Sequence, residues 1–116
     1  MRLTQSKLRG ISNRMFYLKN LEEYYKSEQW IARRIEYLSK NSQSEVSGLL
    51  SEVVHHITYP FKNNSDFKNK DLYGTEKDFQ LLALTHSEHK LLHSEFQSIA
   101  HKRKKVILKV LKEYYN

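Results

Sequence analysis

Five of the six histidines of this 116-residue chain fall in two short windows, His55-His56 and His86, His89, His93. Imidazole binds divalent transition metals as a neutral ligand and exchanges protons near neutral pH, so the clustering points to metal or acid–base chemistry. His89 and His93 are four residues apart. On a helix that spacing puts both rings on one face, with Cβ atoms about 6 Å apart, near enough to chelate one ion. His55 and His56 are adjacent and, in a strand, point to opposite faces; one of them can join the helical pair while the other is left beside it. His86 reads as a surface residue of a first helical turn. His101 lies among the cationic residues of the run HKRKK and receives no role.

Positioning these imidazoles requires two strands and a helix. Residues 52–58 (EVVHHIT) are rich in Val, Ile and Thr and suit a short strand, and the apolar run 78–84 (DFQLLAL) is short enough to be its partner. Thr85 followed three residues later by Glu88 is a capping box, which starts a helix at His86. Leu91, Leu92, Phe96, Ile99, Val106, Ile107, Val110 and Leu111 continue at helical spacing without Gly or Pro, so one long helix over 86–115 is predicted, with Ala100 as the place for any bend. Upstream, 15–40 is helical by the spacing of Phe16, Leu18, Leu21, Tyr24, Tyr25, Trp30, Ile31, Ile35 and Leu38. Ser27 can cap a fresh start, so one helix and two with a break near Lys26 both fit. Residues 1–14 read as a basic arm or a short first helix, 41–51 as a Ser/Asn-rich turn region, and 59–77, with the only Pro, as a long polar loop. The expected fold class is α+β, mostly helical, in a single domain over 1–116.

Composition bounds the chemistry. Twenty Lys and Arg face 13 Asp and Glu, for a net charge of +7, and cysteine is absent. A disulfide framework, a thiolate metal site and a Cys nucleophile are therefore excluded. No apolar run approaches the length of a membrane span, and the start MRLTQSKLRG lacks an apolar signal-type segment, so the expectation is a cytoplasmic protein with no membrane partner. The positive charge favours an anionic partner. The run HKRKK, with Lys102, Arg103 and Lys104, is either a solvated face or a phosphate-tracking one.

Read in order, the segments YYKSEQWIARR, SEVSG, EVVHHI and QLLALTHSEHKLLH resemble the HNH endonuclease family of the ββα-metal fold. That family carries a His-His or Asp-His pair on a strand, an Asn at the start of the second strand, and H-x-x-x-H on the helix. The resemblance implies a ββα-metal unit over 52–93, flanked by N-terminal helices and the long C-terminal helix. It places His55, His89 and His93 on the metal positions and His56 on the general base. Gln80 falls on the middle position, nine residues before His89, where the family has Asn. Many members also hold a structural zinc with two C-x-x-C pairs; here Ser44 and Ser47 stand at the first pair, and Thr85 and Glu88 at the second. The chain thus resembles a cysteine-free variant with Gln in place of the middle Asn.

The implied activity is metal-dependent hydrolysis of a DNA phosphodiester, with His56 taking a proton from the attacking water and Gln80 steadying the site. One divalent ion is implied: Zn, Ni, Mn or Mg, with a His-rich set favouring a transition metal. Arg33 and Arg34, after Trp30, match an upstream W-x-x-R element and are read as DNA-backbone contacts or as a solvated helix face, beside Lys102, Arg103 and Lys104. The expected partner is DNA, double-stranded and with weak sequence specificity, in a bacterial or phage-infected cell; a protein partner or a homodimer is a further expectation. The alternative is a catalytically impaired module of the same fold, such as a phage or mobile-element product, that binds nucleic acid or a protein.

Overall fold

A computed structural model describes residues 4–116. The fold is α+β and mostly helical. Among the described residues there are four α-helices, α1 (Gln5–Tyr25), α2 (Glu28–Lys40), α3 (His86–Ser94) and α4 (Lys104–Tyr115), and two strands, β1 (Val53–His56) and β2 (Leu81–Leu84). None of the helices is long and apolar enough to cross a membrane.

The chain forms two compact units, one of residues up to Ala32 with Pro60–Thr75, the other of Arg33–Tyr59 with Glu76–Asn116. In the first, Thr4 caps α1 by accepting the Lys7 N–H, so the helix starts about ten residues before the predicted 15 and takes in most of the expected basic arm. Residues 1–3 of that arm lie outside the described residues. The helical stretch breaks at Lys26-Ser27. Ser27 Oγ donates to the Tyr24 carbonyl and accepts the Trp30 N–H at 3.2 Å, ending one helix and capping the next. The segment read as a polar loop instead buries Phe61 and Phe67, which stack with ring centroids 4.1 Å apart. Tyr24 of α1 meets Phe61 and Tyr73 edge-on, and its hydroxyl accepts the Gly74 N–H at 2.9 Å. Gly74 has φ +73°, and a Cβ there would lie 2.8 Å from the Gln29 carbonyl oxygen, so both backbone and space require glycine.

In the second unit β1 and β2 pair antiparallel, with His55 opposite Leu82 and His56 opposite Leu81. All four residues of β2 are buried, which is why it reads as a continuous apolar run. Ile57, Leu82, Leu84, Leu92, Ala100, Ile107 and Leu111 form the core. The predicted helix over 86–115 is not continuous: α3 ends at Ser94, a 3₁₀ turn follows at Gln97–Ile99, and α4 begins at Lys104. The cause is tertiary. Ala100 is fully buried and its carbonyl accepts from His55, a bond it could not make as one turn of a straight helix whose carbonyls point along the axis. The break lets Ile107 and Leu111 of α4 enter the same core as Leu92 of α3.

Candidate metal centre

His55 comes from β1 and His89 and His93 from α3, and the ligand atoms of the three imidazoles all lie within 4.8 Å of one another. The capping box fixes where α3 begins: Thr85 Oγ1 accepts the Glu88 N–H at 3.1 Å, and Glu88 Oε1 accepts the Thr85 N–H at 2.9 Å. That register puts His89 and His93 one turn apart on the face that meets β1. Their ring centroids are 4.5 Å apart and lie 5.3 and 5.2 Å from that of His55.

Hydrogen bonds assign the tautomers. His55 Nε2 donates to the Ala100 carbonyl at 2.6 Å, which leaves Nδ1 as its lone-pair nitrogen. His93 Nδ1 donates to Gln97 Oε1 at 3.2 Å, which leaves its Nε2 to accept from His89 Nε2 at 2.9 Å. Backbone or amide oxygens on the outer nitrogens of two rings are the arrangement that orients imidazoles toward a metal. Two nitrogens sharing a tetrahedral ion at the usual bond length would sit about 3.3 Å apart. The His89–His93 pair is therefore some tenths of an ångström tighter than a chelate, and ligation through His89 Nε2 would move the proton between the two rings to His89 Nδ1, leaving a neutral ligand. The donor set fits a divalent transition metal.

Electrostatics agree with that chemistry. Burial, reinforced by the neighbouring imidazoles, pushes His55 down to about 3 from 6.5 and outweighs its bond to Ala100. Burial and the charges of His93 and His86 push His89 down to about 4. Both rings are thus neutral, as ligands must be, throughout the neutral range.

His56 points to the other face of β1. Its Nε2 lies 2.7 Å from Glu76 Oε2, its ring stacks on Tyr59 at 4.3 Å, and its side chain is 2% exposed. Gln80 closes the mouth of the β1–β2 connection: Oε1 accepts the Lys77 N–H at 2.7 Å, Nε2 donates to Thr58 Oγ1 at 2.8 Å, and its carbonyl accepts the Ile57 N–H at 2.8 Å. Arg33 is turned inward. It donates to the Glu76 carbonyl at 2.9 Å and pairs with Glu36 and Asp78 at 2.9 and 2.7 Å, so it braces the segment that carries the partner of His56. Arg34 donates to the Glu52 carbonyl at 3.1 Å. Lys104 bonds the Tyr37 hydroxyl, Glu45 and the Asp78 carbonyl, whereas Lys102 and Arg103 are exposed.

One residue given no role by the sequence belongs to this neighbourhood. The His101 ring lies 5.8 Å from that of His55, and its Nδ1 donates to the Ile57 carbonyl at 2.9 Å. The one signal for it in the chain is a histidine directly after an alanine that interrupts an otherwise amphipathic pattern. Comparison with models of known protein families, with curated proteins and with solved structures gives no match to this chain.

Proposed function

We propose that the second unit is a metal-dependent phosphodiester hydrolase acting on DNA, of the HNH type. The observation that carries this reading is the convergence of His55, His89 and His93 with two outer nitrogens already bonded, so that Nδ1 of the first and Nε2 of the last are left for an ion. The order strand, strand, helix and the Gln80 bonds across the loop mouth are what the resemblance leads one to expect. His55, His89 and His93 would hold the ion, which supplies charge stabilisation at the phosphate and the leaving oxygen. Exposed Lys102 and Arg103 would attract the phosphate backbone, giving salt-sensitive binding. The burial of His56 favours the alternative of an impaired DNA- or protein-binding module, unless another group takes the proton.

Incubating the full chain with supercoiled plasmid and Mg, Mn, Ni or Zn tests the reading. Nicked or linear product that depends on metal and disappears in His89→Ala is expected; no product with any of these ions would overturn it.

A further inference from the structure

A histidine acting as general base here needs a lone-pair nitrogen, access to water, and a place beside the ion-binding set without being part of it. His56 has the wrong surroundings for this: both Glu76 and Tyr59 hold it, and solvent touches only 2% of its side chain. His101 is exposed and has its Nδ1 proton committed to the Ile57 carbonyl, which fixes the tautomer with Nε2 as acceptor. It sits next to the ligand His55, with the rings 31° from parallel, yet it is not one of the three residues whose ligand atoms converge. Its placement is built rather than incidental. Ala100 and His101 are consecutive, and each makes one bond to the end of β1, the Ala100 carbonyl to His55 and the His101 ring to Ile57. The same break in the helix that completes the tautomer of His55 thus delivers a second, solvent-facing imidazole to its side. Lys102 and Arg103 follow directly and are exposed, so the phosphate-attracting charge and this imidazole share one stretch of chain.

We propose that His101, rather than His56, is the catalytic base of this site, acting on a DNA phosphodiester. The inference rests on the hydrolase reading above. In the step, His101 Nε2 takes a proton from water as the water oxygen bonds to phosphorus. The P–O3′ bond breaks with its electron pair on the 3′ oxygen, which takes a proton from solvent, and the imidazolium returns its own to solvent. His56 with Glu76 then serves as a buried support of β1.

The test compares wild type, His101→Ala, His101→Gly and His56→Gln in two measurements, Co(II) titration followed by visible absorption and metal-dependent plasmid cleavage. Expected is unchanged Co(II) affinity in His101→Ala, cleavage reduced on the order of 100-fold or more, partial recovery of His101→Gly by free imidazole, and at most a several-fold loss in His56→Gln. Cleavage by His101→Ala within a few-fold of wild type, or tenfold weaker Co(II) binding by it, would overturn the proposal while leaving the hydrolase reading standing. Wild type that binds Co(II) but cleaves with no ion would remove the hydrolase reading, and this inference with it.

Discussion

Ser44 Oγ donates to Glu88 Oε1, joining a tight turn to the first turn of α3 across 44 residues of sequence. Both residues are buried. Ser44 Oγ also accepts the N–H groups of Val46 and Ser47, at 3.1 and 3.2 Å, in the turn that ends at Gly48 with φ +78°. Glu88 in turn completes the capping box with Thr85. Burial alone would raise the Glu88 carboxyl, but bonds from Ser44, Ser47 and Thr85 outweigh it and hold the group below its ordinary value. The four positions that could have held a structural ion are instead one hydrogen-bonded cluster around a carboxylate.

Glu88→Ala removes the acceptor of both Ser44 Oγ and the Thr85 N–H in a buried setting. A loss of about 3 kcal/mol is expected in urea denaturation. Glu88→Gln, which keeps a carbonyl oxygen at that place, should cost less than half as much. Equal losses would show that the hydrogen-bond pattern is not what the position contributes.

Metal-free protein should weaken on mild acidification. An unfolded imidazole titrates near 6.5, whereas folded His55 and His89 titrate near 3 and 4. The unfolded chain therefore binds more protons in that interval. Stability is fully present above 6.5 and is lost as pH falls toward the folded values, by about 1.4 kcal/mol per unit for each imidazole that stays neutral in the fold. Urea midpoints of chelated protein between about pH 7 and pH 5 should fall steadily. A flat profile would mean that the two rings are solvated in solution.

Gln97 would act on a bound ion through His93. With its Oε1 on His93 Nδ1 it keeps Nε2 unprotonated toward the cluster. Gln97→Ala is expected to weaken Zn or Co(II) binding about tenfold, read by competition with a chromogenic chelator, and Gln97→Glu should restore it. His89→Ala should lose far more than either.

His56→Ala removes one hydrogen-bond partner of Glu76 Oε2, whose side chain is fully buried. A cost of about 3 kcal/mol follows from losing a hydrogen bond to a buried carboxylate. His56→Gln can still donate to the carboxylate and should recover part of it. Denaturation midpoints of the two variants give the comparison, independently of any activity.

The parts of the centre that could be read in the sequence are those set by local rules. The Thr85–Glu88 box, the four-residue spacing of His89 and His93, and the alternation of His55 and His56 each follow from neighbours a few residues away. What could not be read is held by distant partners. The sequence offers Ala100 as the place for a bend, but not a full stop of the helix there, because the bond that holds the Ala100 carbonyl comes from His55, 45 residues upstream. Residues 60–75 look polar because few of them are apolar, yet Phe61 and Phe67 are buried and Tyr73 packs beside them, and the aromatic residues of α1 that receive them lie far back in sequence. His101 was hidden for the same reason: its bond is to Ile57, and without that bond it is one more cationic-run residue.

The three converging imidazoles come from one strand and from a helix that starts beyond the whole β1–β2 connection. An ion held by all of them would be a reversible cross-link. It would close the intervening loop in the way a disulfide does, in a chain that has no cysteine to make one. The apparent melting point of this protein should then rise with free metal concentration, as the stability gains about 2.7 kcal/mol at a hundredfold excess over the dissociation constant. A chelator would lower it again without unfolding a core that is built from Ile57, Leu82, Leu84, Leu92, Ile107 and Leu111.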